Sequence, residues 1–243
     1  MNREIENLIQ ALRPADILTK NIQNVELNFA ILHPRLRFYA ETFPEKEVLQ
    51  FIDSLAATDC LIDLGAAEGR FALYAAKKGI ETWAIEPDKH NFTALQANQE
   101  LNRLNNLHPL QIAVGKTSGV AKLMSGQPFP GGHQKVLRDC EGRKDLQFHF
   151  SEVQEVTLLT FTTLCQKYQI RPTALKIDID GSELDFFQGV TELSDINQIM
   201  IELCTQDVNY VKILNILNGH GFKLHSQHSI PEEKNLYNFW FTR

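Results

Sequence analysis

Short apolar runs of strand length recur along this chain from residue 60 onward. They read CLIDL at 60–64, TWAI at 82–85, LQIAV at 110–114, ALKIDI at 174–179 and IMIEL at 199–203, each bounded by turn or charged residues. Amphipathic stretches at 71–78, 89–102, 183–189 and 207–218 lie between most of them. A strand that is apolar without alternation is buried on both faces, and such strands separated by helices imply a parallel sheet covered on either side. The expected fold is therefore α/β and Rossmann-like.

The flanks carry less rhythm. Val48, Leu49, Phe51, Ile52 and Leu55 recur at helical spacing, so residues 1–58 are expected to form an N-terminal helical extension and 59–243 the main domain. Residues 125–150, SGQPFPGGHQKVLRDCEGRKDLQFHF, mix glycine, proline and charge without a period and are expected to form a lid or substrate loop. The end, GFKLHSQHSIPEEKNLYNFWFTR, reads as two strands joined by a polar turn around Pro231.

Composition narrows the partners. The 243 residues carry a formal charge of −6 with lysine and arginine scattered, which argues against a nucleic-acid partner. No apolar run approaches the roughly 20 residues of a membrane span, and MNREIENLIQ lacks the order of a secretion signal, so a cytoplasmic location without a membrane partner is expected. Cys60, Cys140, Cys165 and Cys204 form no C-x-x-C pair and read as reduced thiols. Oligomeric state has no signature in the sequence.

The first apolar run opens onto LIDLGAAEGRFAL at 61–73. Asp63 closes a strand, and Gly65, Ala66, Ala67 and Gly69 let the backbone approach a ligand closely. Glu86 closes the next strand, where a carboxylate accepts hydrogen bonds from ribose hydroxyls. A dinucleotide site wants G-x-G-x-x-G around a pyrophosphate. Here the spacing is Gly65-x-x-x-Gly69 with Glu68 in the loop, and a carboxylate there favours a cationic ligand, S-adenosylmethionine. Tight strand-to-helix packing is the competing explanation for the small residues. Gly115-Lys116-Thr117 is no phosphate loop, because Leu110 stands where that motif needs glycine.

Four blocks together resemble the FkbM-type family of S-adenosylmethionine-dependent methyltransferases: LIDLGAAEG at 61–69, EPDKHNFTALQAN at 86–98, AVGKTSGVAKL at 113–123 and LKIDIDGSELDFFQG at 175–189. The family's E-P with two later asparagines matches Glu86, Pro87, Asn91 and Asn98, and its K-x-D-x-E-G-x-E matches Lys176, Asp178, Asp180, Gly181 and Glu183. This chain departs from the pattern with Ala67 for an asparagine, Asp180 for a glutamate and Thr162 for an aspartate. The resemblance implies a seven-stranded sheet in the order 3-2-1-4-5-7-6 with the last strand antiparallel. It also implies methylation of a hydroxyl on a small-molecule or glycan acceptor, a saccharide or natural product. By it, Asp63, Gly65 and Gly69 hold the methionine portion, Glu86 the ribose and the backbone near Ala113 the adenine.

In that strand order KIDIDGSE faces the same crevice, which makes Asp178 and Asp180 candidates to take the acceptor's proton, with His133 a further candidate from the loop. Asp178 with Glu202 would supply part of a magnesium site. Helix capping is the competing explanation for Asp180 and Glu183. Two other functions stay open: a nucleoside-binding scaffold without catalysis, and a nicotinamide-dependent oxidoreductase.

Overall fold

The computed structural model describes residues 3–43, 45–132, 135–138, 150–230 and 233–243. The chain opens with α1 (Arg3–Ala11), a short 3-10 turn (Pro14–Asp16), strands β1 (Ile17–Ile22) and β2 (Val25–Ala30), and helices α2 (Pro34–Thr42) and α3 (Lys46–Asp53). The expectation of a helical start is corrected here, because β1 and β2 pair as an antiparallel hairpin from Ile17↔Ala30 to Ile22↔Val25. Its physical basis is local: Gln23 and Asn24 both take positive φ, 49° and 68°, as a tight two-residue hairpin turn demands. Polar and apolar residues alternate along β2, so Leu27 and Phe29 point to the core.

Strand and helix then alternate: β3 (Cys60–Leu64), α4 (Arg70–Lys77), β4 (Glu81–Ile85), α5 (Lys89–Asn102) and β5 (Leu107–Leu110). The run at 110–114 does not form one strand. The Ile112 amide bonds back to the Leu110 carbonyl at 3.1 Å, which turns the chain out of the sheet. The next four strands, β6 (Ala113–Val114), β7 (Gly119–Ser125), β8 (Lys135–Leu137) and β9 (Glu152–Leu159), form a separate sheet in the order β6-β9-β7-β8. The segment expected to be a loop or lid thus begins on the last residue of one strand and contains another, with Ser125 opposite Lys135.

The remaining elements are α6 (Phe161–Tyr168), β10 (Ala174–Ile177), α7 (Glu183–Gln188), β11 (Gln198–Cys204), α8 (Tyr210–Gly219), β12 (Lys223–Ser229) and β13 (Leu236–Thr242). The main sheet is ordered β12-β13-β11-β10-β3-β4-β5. Strands β3, β4, β5, β10 and β11 run parallel, whereas β13 runs antiparallel to both its neighbours. Adjacent residues of one strand serve opposite cores. Leu61 belongs to the core on one face with Phe51, Ile52, Leu73 and Tyr74, and Ile62 to the core on the other with Leu164, Phe186 and Leu217. Each parallel strand is therefore largely apolar on both faces, the reason its run in the sequence shows no alternation.

Candidate active site at the carboxyl edge of the sheet

The turn after β3 is built by protein contacts. The amides of Gly65 and Ala66 bond the Ile85 carbonyl at 2.9 and 3.1 Å, and the Ala67 amide donates to Glu86 Oε2 at 2.8 Å. Gly65 has φ +77°, and a Cβ there would lie 1.8 Å from the Asp178 carbonyl oxygen. Gly69 has φ +90°, and its Cβ would lie 2.3 Å from Leu95 Cδ1. Both glycines are thus required by tight strand-to-strand and turn-to-helix packing. That packing sets the shape of the ligand-facing turn.

A cavity of about 540 Å³ opens along this edge. The strand order arranges its lining in sequence. Ile112, Ala113 and Val114 follow β5, Ile85, Glu86 and Pro87 close β4, Gly65, Ala66 and Ala67 follow β3, Asp178 and Asp180 follow β10, and Glu202 ends the row on β11. Three strand spacings of about 4.8 Å separate β5 from β10, a row roughly 14 Å long. Leu123 and Leu137 of the small sheet add to the apolar end, so the lining passes from apolar to acidic along the row.

Charges below the acidic end are paired in layers. Asp63 is 1% exposed, and Lys176 Nζ stands 3.2 Å from its Oδ1 and 3.6 Å from Asp178 Oδ2. Burial pulls the Lys176 ammonium down, but Asp63 and Asp178 outweigh it and hold its pKa above the ordinary value. Beside it, Arg70 pairs with Glu45 at 3.2 Å, approaches Glu68 at 3.9 Å and stacks over the Tyr39 ring at 4.8 Å. Glu202 is pushed well up, first by burial and then by Asp178 and Glu45. Glu86, buried and taking amide bonds from Ala67 and Asp88, is raised to about 7 by burial.

The sequence candidates divide accordingly. Gly65, Glu86, Ala113, Asp178 and Asp180 line the cavity, whereas Asp63 and Gly69 lie behind its wall. Glu68, which the sequence placed beside a cationic ligand, is also behind the wall, buried and turned toward Arg70. Glu183 Oε1 accepts from the Gly181 amide at 3.1 Å and so braces the turn holding Asp180, which has φ +49°. His133 lies outside the described residues. Among the described residues no group of three histidine, cysteine or acidic side chains is arranged to hold a metal, and the magnesium expectation gains no support.

Several contributors have roles that the sequence did not disclose. Asn91 and Asn98 were visible as letters, but their work was not. Asn91 Oδ1 accepts from the Gly131 amide at 2.8 Å, and Asn98 ties the Ala30 amide at 2.7 Å to the Glu68 carbonyl at 2.8 Å. Asp88, fully buried, caps α5 through the amides of His90 and Asn91 and also takes Lys135 Nζ at 2.6 Å and Gln154 Nε2 at 2.7 Å. That cluster pins the small sheet to the start of α5.

A mainly parallel sheet with helices on both faces, and a cavity at its carboxyl edge graded from apolar to acidic, make this a Rossmann-like α/β protein with a ligand site at the strand ends. The Methyltransferase FkbM domain model matches residues 63–224, and the chain belongs to that family of S-adenosylmethionine-dependent methyltransferases. A "31-O-demethyl-FK506 methyltransferase FkbM" of Streptomyces tacrolimicus is 27% identical over 209 residues, covering 76% of this chain and 80% of the relative. "Methyltransferase 1" of Beauveria bassiana is 22% identical over 178 residues, 67% of this chain and 71% of that protein.

Among solved structures, a protein from Streptococcus mutans assigned as a SAM-dependent methyltransferase aligns with a TM-score of 0.52 at 10% identity. The match covers 96% of this chain and 57% of that one. A 23S rRNA (uracil(747)-C(5))-methyltransferase of Pyrococcus abyssi is 26% identical over 45% of this chain and 27% of its own length. The composition-based exclusion of nucleic acid therefore has no support from the relatives. No described helix is long and apolar enough to cross a membrane.

Proposed function

We propose that this chain is an O-methyltransferase that transfers the methyl group of S-adenosylmethionine to a hydroxyl of a saccharide or natural product. The observation that carries the reading is the graded row at the sheet edge. An apolar cleft at Ile112, Ala113 and Val114 suits an adenine, and a buried carboxylate one strand over at Glu86 suits ribose hydroxyls. The small residues 65–67 leave room beyond it, and the carboxylates of Asp178 and Asp180, with Glu202 beside them, suit a ligand with positive sulfur and nitrogen. Asp63 and Gly69 serve indirectly, Asp63 by holding Lys176 and Gly69 by shaping the turn.

Bound there, S-adenosylmethionine supplies an electrophilic methyl group on a sulfonium. The chain's own residues supply orientation and proton removal. Asp178 is the proton acceptor for the hydroxyl, because it faces the cavity while Lys176 fixes its carboxylate from below. Asp180, one step further along the turn, holds the acceptor's neighbouring hydroxyl.

The Streptomyces tacrolimicus relative, named for a 31-O position of FK506, supports an oxygen nucleophile on a small molecule. Calorimetric titration with S-adenosylhomocysteine tests the cofactor half of the reading, with saturable binding expected. Folded protein that shows no heat at millimolar ligand would overturn it.

A further inference from the structure

The acceptor's place is a separate matter from the cofactor's, and the edge of the sheet continues past the acidic row. Strand β13 runs antiparallel to β11, so its first residue lies beside the last of β11, with Cys204 opposite Leu236 and Glu202 opposite Asn238. Leu236 thereby extends the cavity one strand beyond Glu202. Ile230 and Glu233, both described residues on the way into β13, are held against that point. The Ile230 amide bonds the Leu236 carbonyl at 3.1 Å, the Glu233 amide bonds the Ile230 carbonyl at 3.2 Å, and both residues line the same cavity. From α2, the Phe38 ring lines it while 57% exposed. Residues 230–236 and α2 both fall outside the 63–224 stretch that marks the family.

We propose that this hairpin end is the acceptor subsite, and that Leu236, Ile230 and Glu233 select a neutral hydroxylated molecule with one apolar face and reject polyanions. The proposal rests on the cofactor reading above, which fixes the other end of the cavity. Its first support is position: Glu202 and Leu236 are the only members of the row beyond Asp178 on the side away from Glu86 among the described strands. Its second is charge. Asp178, Asp180 and Glu233 line this end beside Glu202, which burial holds toward its neutral form; of the cations on the cavity, Lys176 is committed to Asp63 and Asp178 and Arg70 to Glu45, and Arg35 of α2 is the counterweight that three carboxylates outnumber. A phosphate chain would meet repulsion there, whereas hydroxyls find acceptors. Its third is the apolar surface of Leu236 and Ile230, which a sugar ring face or an aglycone covers and an unstacked phosphate backbone does not.

The test uses full-length protein saturated with S-adenosylhomocysteine and two probes, phenyl β-D-glucopyranoside and an oligouridylate, followed by ligand-observed NMR. The glucoside should bind saturably and the oligouridylate should not. Leu236→Trp, which fills the subsite, should weaken the glucoside about tenfold or more while leaving S-adenosylhomocysteine affinity unchanged. Glu233→Lys, at an exposed position that folding tolerates, should weaken the glucoside and admit the oligouridylate. The subsite is overturned if no glucoside binding is seen, if both variants bind it like the native chain, or if the oligouridylate binds better. Loss of S-adenosylhomocysteine binding by the native chain sinks the cofactor reading instead, so the two failures are distinguishable.

Discussion

Glu86 Oε2 accepts the Ala67 amide at 2.8 Å, so the carboxylate that closes β4 also fixes the turn after β3. One side chain thereby joins two adjacent strand ends into a single ligand-facing surface. Removing it should disturb both the turn and any ribose it holds. Glu86→Ala is expected to weaken S-adenosylhomocysteine by about 1 to 3 kcal/mol, the usual scale for hydrogen bonds to a charged group, measured by calorimetry.

The same residue gives a pH dependence of defined sign. Burial lifts the Glu86 carboxyl from 4.5 to about 7, so the folded state holds its proton more tightly than the unfolded chain does. Its contribution to stability is therefore full below pH 4.5 and is lost as pH rises toward 7, about 3 kcal/mol at most. Ribose hydroxyls donate to the ionised form, so ligand affinity should rise with pH over the same window. Glu86→Gln should flatten both curves, read by urea titration and by calorimetry at several pH values.

Asp178 faces the cavity with Lys176 Nζ 3.6 Å from its Oδ2. Asp178→Asn keeps the shape and removes the proton acceptor. Turnover should fall about 10²- to 10⁴-fold, with a much smaller loss of affinity for S-adenosylhomocysteine, which lacks the sulfonium charge that Asp178 faces. Equal losses in both would assign Asp178 to cofactor binding.

Ala67 sits at φ +50°, a left-handed conformation that costs a residue with a Cβ roughly 1 to 2 kcal/mol. Ala67→Gly should raise stability by about 1 kcal/mol in a denaturant titration, and its amide still reaches Glu86. Gly65→Ala is the opposite case. Its Cβ would lie 1.8 Å from the Asp178 carbonyl, and the expected loss exceeds about 4 kcal/mol, seen as a collapse in the yield of folded protein.

Lys135 Nζ and Asp88 Oδ1 stand 2.6 Å apart with both side chains buried. Lys135→Met leaves a buried carboxylate without its cation and should cost about 3 to 5 kcal/mol. Adding Asp88→Asn should recover part of that loss, because amide and carboxylate oxygens are alike in accepting the α5 amides. Urea midpoints of the three proteins decide it.

Much of the fold was legible in the residues themselves. The runs at 60–64, 82–85, 174–179 and 199–203 are strands because a strand covered on both faces can be apolar throughout. The stretch 89–102 is α5 to the residue, since Asp88 starts it and Arg103 ends it at φ +53°. The hairpin at 17–30 was also written locally, in the alternation of VELNFA and the turn at Gln23-Asn24, but the helical spacing of 48–55 was extended over it. The run at 110–114 misled for the opposite reason. Apolar content says that residues are buried and not which sheet buries them, and a single backbone bond at Ile112 moved half of it.

The sequence alone determined which stretches are buried, where α4, α5 and α7 begin to within a residue, and that an acid and a small-residue turn close successive strands. These properties follow from sterics and hydrophobic period acting within a few residues. Only the tertiary structure decided what those groups face: that Gly65 yields to the Asp178 carbonyl, that Glu45 reaches Arg70, that Asn98 holds Ala30 across 68 residues, and that Leu236 prolongs the cavity past Glu202. Such contacts depend on strand order and on the burial of charge, which are set by the packing of the whole chain and leave no local trace.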